Sequence, residues 1–236
     1  VPLLADLKAD EARVEEARRQ LLEWDYVLDK NSVEAGIYVA FERRLLDNTA
    51  AIKIPPEVSD YVGIGMKTMI DLLLSPDGDF GQDPIQGRDM LLLRTLEQAV
   101  DDLRQKLGRD MDDWVYGQAD YHHATIRHPL SPAVDAATRA RLDVGPVPRG
   151  GYGYTVGNTG NRDNQTSGAS FRIFVDTRDW DQTLGMNSPG QSGDPDSPFY
   201  DNLFELWAND KVFPAFYSRE KIESVTAERL DLRPGN

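Results

Sequence analysis

The chain has 236 residues, no cysteine and a formal charge of −14, from 26 Lys and Arg set against 40 Asp and Glu. With 40% hydrophobic and 28% charged residues it can bury a core without covalent staples, while the acid excess argues against nucleic acid as a partner, which needs a basic face to displace counterions. The lack of cysteine excludes disulfides and thiolate metal sites but leaves cytoplasm and periplasm both open.

Val1-Pro2-Leu3-Leu4 has no basic region of the signal-peptide kind and no initiator Met, so the chain is expected to be a processed or excised piece of a longer one. Leu7, Val14, Ala17, Leu21 and Trp24 recur at helical spacing and predict an amphipathic helix of about six turns. Ser32 is the expected N-cap of a second helix that places Ile37, Phe41, Leu45 and Ile52 on one stripe, and Pro55-Pro56 ends it. A third helix is expected around Ile64 to Leu74, followed by a turn over Ser75-Pro76-Asp77-Gly78-Asp79. The fourth runs from about Ile85 to Leu107, with Leu92, Leu96, Val100, Leu103 and Leu107 inward and Gly108 closing it. Its Met90 to Leu93 is the longest dense apolar run, well short of the roughly 20 residues that cross a bilayer.

Beyond Asp113 the residues are of strand type among glycines: Trp114, Tyr116, Tyr121, Ile126, Tyr152, Tyr154 and Val156. Phe171 to Asp176 reads as a mostly buried strand. Ser197-Pro198-Phe199-Tyr200 is expected to start a short helix through Trp207, and Ala227 to Leu232 alternates like a terminal strand. Helices first and sheet second define an α+β chain, with a helical layer over residues 1–110 packed on the mostly antiparallel sheet of a β-rich region with short helices over 111–236, both part of one larger domain. The glycine stretches Arg149 to Gly153 and Gly157 to Asn161 fit neither a dinucleotide loop nor a P-loop and read as turns.

Four groups of residues invite chemistry. Ser192 stands in Gly190-Gln191-Ser192-Gly193-Asp194, which breaks the G-x-S-x-G elbow at its fifth position and runs on into prolines, so a turn with the hydroxyl capping backbone groups is expected. His122, His123 and His128 lie close in sequence, but on a strand only His122 and His128 share a face, and imidazoles bonded within the sheet are expected rather than a metal site. The carboxylates at Asp101-Asp102, Asp112-Asp113 and Asp194/Asp196 read as solvated faces and caps, with no EF-hand pattern around Asp194 to Asp201. Arg172, inside an apolar strand, calls for a structural ion pair.

Taken in order, Trp24-Asp25, Ser32-x-x-Ala35, Trp114-x-Tyr116-Gly117, His128-Pro129-Leu130, Gly150-Gly151 with Thr155-Val156, Gly168-Ala169-Ser170-Phe171-Arg172, Gly190 to Gly193, Ser197 to Tyr200 and Trp207 resemble the C-terminal part of the large subunit of the penicillin acylase family. Asp201-Asn202 departs from the family's usual Asp-Gln, and the first histidine of its Trp-Gly-His segment is displaced to His122 or His123. The resemblance implies a four-layer αββα sandwich and an N-terminal-nucleophile hydrolase: a self-cutting precursor whose new N-terminal serine attacks an acyl-amide, its α-amine as base and backbone and asparagine donors holding the oxyanion. Val1 carries no nucleophile, and the matching segments lie downstream of the family's reactive serine.

The resemblance therefore implies no catalytic, cofactor-binding or metal residue in this chain, an inactive isolated fragment, and a scaffold role beside the small subunit and the N-terminal part of the large subunit. It implies a small acyl-amide substrate, of β-lactam side-chain or N-acyl homoserine lactone type, no membrane partner, and a periplasmic or secreted location. No cofactor is expected, and structural calcium is left to the full-length protein. Two alternatives stay open from the residues: a stand-alone acidic binding module, and a metal hydrolase built on His122, His123 and His128.

Overall fold

The computed structural model describes residues 1–157, 160, 162–166 and 168–235. The chain divides into two compact units, Val1–His123 with Pro148–Gly151, and Ala124–Val147 with Tyr152–Asn236.

The first unit is helical: α1 (Ala12–Glu23), α2 (Val33–Lys53), α3 (Met66–Leu74) and α4 (Pro84–Leu107). At the start of α2 the Ser32 hydroxyl oxygen accepts the Ala35 N–H at 2.9 Å, as an N-cap should. The helix stops at Lys53 because Pro55 disfavours helical backbone before it and has no N–H to give. Asp83 caps α4 through the N–H groups of Ile85 and Gln86, and Gly108 closes it at φ +105°, where a side chain would strain. Leu92, Leu96, Val100 and Leu103 are buried, as are Ile37, Phe41 and Leu45 of α2, whereas Leu107 and Ile52 are half-buried at the helix ends. Helices α1, α2 and α4 pack on one another.

The first helix is half the expected length. Leu7 lies before it, because side chains hold the leading residues in a strap: the Glu15 carboxylate accepts the Ala9 N–H at 3.0 Å and Arg18 donates to the Leu4 carbonyl at 2.8 Å. Trp114, Tyr116 and Tyr121 are not in strands either. Tyr116 and Gly117 donate their N–H groups to Ser32 and Lys30, which joins two loops, and the three rings go into the core. Gly36 is required there: a Cβ would stand 2.3 Å from the Trp114 carbonyl oxygen.

Strands β1 (His123–Ile126) and β2 (Val144–Pro148) form a two-stranded sheet whose residues 124–126 and 144–147 belong to the second unit, with α5 (Ala136–Leu142) before β2. Strands β3 (Phe171–Phe174), β4 (Leu184–Asn187) and β5 (Phe213–Pro214) form an antiparallel sheet in that order, with Phe171 opposite Asn187 and Leu184 opposite Pro214. Helices α6 (Phe204–Ala208) and α7 (Arg219–Val225) complete it. Its core is Ala124, Val144, Met186, Phe204, Trp207 and Ala208.

Four expectations here need correction. Tyr152 and Tyr154 lie in a turn held by the Thr155 hydroxyl, which accepts the Tyr152 N–H and donates back to its carbonyl, and Val156 is fully exposed. The helix through Trp207 starts at Phe204, because Pro195 and Pro198 leave the preceding stretch to successive turns. Ala227 to Leu232 forms no strand; Leu230 and Leu232 are exposed, and alternation without a face to bury fixes nothing. Strand β3 exists but is mostly exposed. Of the stretch Gly157 to Asn161, Asn158, Thr159 and Asn161 lie outside the described residues.

Candidate functional site

Ser192 sits in a turn. The N–H groups of Gln191 and Ser192 both donate to the Phe199 carbonyl, at 2.8 and 3.1 Å, and the Ser192 hydroxyl oxygen accepts the Asp194 N–H at 3.1 Å. Gly190 permits this crossing, since a Cβ would lie 2.3 Å from the Phe199 oxygen and 2.4 Å from that of Tyr200. The serine organises backbone, as its glycine-flanked setting predicts.

The histidines have separate surroundings. His122 is buried in the first unit, its ring stacked on Tyr116 with centroids 4.4 Å apart and planes 6° from parallel. His123 begins β1. His128, in the second unit, accepts the Leu130 N–H on Nδ1 at 3.1 Å, which places the neutral ring's proton on Nε2. Among the described residues no group of three or more His, Asp or Glu is placed to hold a metal ion.

Ser131 and Asp143 form a half-buried contact that no sequence spacing signalled. The Ser131 hydroxyl donates to the Asp143 carboxylate, which also accepts the His128 N–H at 2.9 Å. These bonds, with help from Arg127 and Arg139, hold the Asp143 carboxyl below the usual carboxylate range. Serine, histidine and aspartate meet here in the wrong order for nucleophilic catalysis. The hydroxyl bonds the carboxylate directly and the imidazole bonds backbone, whereas activation needs the imidazole between them. The network instead ties the turn after β1 to the residue before β2.

Arg172 makes the expected ion pair, donating to Asp210 at 2.7 Å; it also reaches the carbonyls of Ala169 and Trp207 at 3.2 and 3.3 Å, and lies 5.7 Å from the Trp207 ring centre. Trp207 Nε1 donates to the same Ala169 carbonyl at 2.9 Å. Asp102 accepts from Arg44, Asp196 from Arg141, and Asp194 from the Asp196 N–H, so these carboxylates serve ion pairs and turns.

The first unit contains an apolar cavity of about 310 Å³ that the sequence did not single out, lined among others by Phe41, Leu45, Met69 and Leu73, with Glu42 beside them. Its signal was the apolar stripe of α3 at i, i+3, i+4 spacing, which reads equally well as core.

Over its whole length the chain superposes on 45% of the thermostable penicillin G acylase from Alcaligenes faecalis, with a TM-score of 0.50 and 18% identity, which gives it the α+β fold of that acylase, an N-terminal-nucleophile hydrolase fold. The penicillin amidase family model matches residues 1–224, and the chain belongs to that family. It is 26% identical over 252 residues to the acyl-homoserine lactone acylase QuiP of Pseudomonas aeruginosa, covering 96% of this chain and 30% of that protein. It is 30% identical over 234 residues to the penicillin acylase 2 proenzyme of Pseudomonas sp. (strain SE83), covering 92% of this chain and 28% of the other. The chain thus spans about 30% of the length of the curated relatives it matches.

Proposed function

We propose that these residues are the supporting part of an amide-hydrolysing acylase, acting on an acyl-amide of β-lactam side-chain or N-acyl homoserine lactone type. The nucleophile, its base and the oxyanion donors belong to the remaining polypeptide. The observation that carries this reading is the use made of the family-resembling residues. Ser32 caps a helix, Tyr116 and Gly117 join two loops, Gly190 and Ser192 form a turn, and Arg172 and Trp207 lock a strand to a helix. Trp24 and Asp25 close a turn of their own, with Trp24 donating to the Val27 carbonyl and Asp25 accepting the Val27 N–H. Residues that hold backbone in place fit a scaffold, and the relatives' additional length has room for the chemistry.

The test is acid release from an acyl-amide by the full-length polypeptide, set beside variants in this region. Substitutions that disturb the scaffold, such as Gly190→Ala, are expected to lower the yield of folded enzyme while the surviving fraction keeps its kcat. A kcat that collapses in correctly folded Ser192→Ala would overturn the reading.

A further inference from the structure

Helix α3 turns one apolar stripe inward: Met66, Met69, Ile70, Leu73 and Leu74, at i, i+3, i+4, i+7 and i+8, all line the cavity of the first unit. Across from them stand Tyr38, Phe41 and Leu45 of α2, again three and four residues apart, and Pro2 and Leu3 complete the wall. Two such stripes ordinarily interlock, because protein interiors pack as densely as organic crystals and leave few voids larger than a water molecule. These do not. The space between them is about 310 Å³, about ten times the roughly 30 Å³ that a water molecule occupies in the liquid.

The wall supplied by α3 is adaptable. A nine-residue helix is marginal by itself, and among the described residues no side chain caps its start at Gly65. Gly63 and Gly65 both have open space around them, which leaves the chain before the helix free to pivot. Met69 and Leu73 are buried, while Ile70 and Leu74, 44% and 63% exposed, mark the mouth. Met66 and Met69 add unbranched, polarizable side chains that fit themselves to irregular apolar shapes.

We propose that this cavity binds an uncharged apolar small molecule, an alkyl or aryl compound, with α3 as the wall that moves to admit it. Its volume falls at the lower end of the roughly 300–1,000 Å³ of small-molecule pockets, and is about twice the roughly 150 Å³ of an apolar cavity that takes up benzene. The apolar lining offers water few hydrogen-bond partners, so an apolar guest displaces no well-held solvent. Charge narrows the class of guest. Among the described lining residues Glu42 carries the one charged side chain, it is buried, and the chain as a whole stands at −14, so a carboxylate or phosphate would meet repulsion. Every residue involved belongs to the first unit, and the site stands whether or not the polypeptide hydrolyses amides.

NMR of the full-length polypeptide labelled with 13C-methyl methionine, titrated with 1-octanol, tests this. The Met66 and Met69 methyl resonances, assigned through Met66→Leu and Met69→Leu, are expected to shift saturably with a half-point of about 1 mM or below. The resonance of Met90, which is exposed on α4, is expected to stay in place, and sodium octanoate to bind about tenfold more weakly than the alcohol. No shift of either methyl up to the solubility limit of 1-octanol would overturn the proposal, since other polypeptide would then fill or close the cavity. So would octanoate binding as tightly as octanol, or Met90 shifting in step with Met66 and Met69, which would mark unspecific partition onto apolar surface.

Discussion

Tyr116 and His122 lie face to face, ring centres 4.4 Å apart, and Tyr121 meets Tyr116 edge-on at 5.4 Å. The Tyr116 hydroxyl donates to the Gly151 carbonyl at 2.9 Å and that of Tyr121 to the Gly36 carbonyl at 2.7 Å. Both rings are thus large buried apolar bodies whose polar tips bond backbone. Tyr116→Ala is expected to destabilise the fold by about 3–5 kcal/mol and Tyr116→Phe by only about 1 kcal/mol, read from urea denaturation midpoints. Equal losses would mean that the ring does not pack as described.

Gly36 gives a sign that helix propensity alone would get wrong. Replacing a helical glycine by alanine ordinarily stabilises by up to about 1 kcal/mol. Here the added methyl would meet the Trp114 carbonyl oxygen at 2.3 Å, and a backbone atom cannot swing aside. Gly36→Ala should therefore lower the thermal midpoint, while Gly63→Ala, with nothing within 4 Å, should not.

The Arg172 clamp predicts an asymmetric pair of losses. Arg172→Met removes the ion pair and leaves the Trp207 carbonyl without its guanidinium donor, so a loss of roughly 2–3 kcal/mol is expected. Asp210 is largely exposed, and Asp210→Asn should cost under about 1 kcal/mol. Comparable losses would point to a desolvated pair rather than a clamp on backbone.

Acid sensitivity has a local source. Hydrogen bonds from Arg18, then from the Ala9 N–H, hold the Glu15 carboxyl down at about 2 against an ordinary 4.5. The fold binds this proton more weakly than the unfolded chain does, so the stabilisation is complete above about pH 4.5 and is lost as pH falls through about 2. Asp143 and Asp181 are lowered as well and act in the same direction. Glu15→Gln is expected to make the fall in stability across that window shallower. An unchanged slope would show that the strap before α1 does not depend on this carboxylate.

The helices were legible because local signals decide them: Ser32 and Asp83 cap, Gly108 stops, and leucines four apart choose a face. The start of α1 was not, since Glu15 and Arg18 reach back to Ala9 and Leu4 through side chains that no periodicity records. Trp114, Tyr116 and Tyr121 have strand composition, yet the backbone of Tyr116 and Gly117 bonds a loop some eighty residues earlier while Trp114 and Tyr121 donate to local turns, and composition cannot distinguish a buried loop from a buried strand. For β3 the reverse holds. The sequence asked for a mostly buried strand, and these residues form the strand but leave it mostly exposed. In the candidate site, the turn at Ser192 and the ion pair of Arg172 could be read from residue types, whereas the Ser131–Asp143 contact joins positions 12 apart with no motif to mark it.

Acid release from an acyl-amide, measured on the 236-residue chain and on the full-length polypeptide side by side, bears most directly on the proposed division of labour between scaffold and chemistry. Release by the full-length protein, none by the 236 residues, and no effect of Ser192→Ala on kcat are the expected results. Turnover by the 236-residue chain alone, abolished by Ser192→Ala, would place the nucleophile among these residues and contradict the scaffold role.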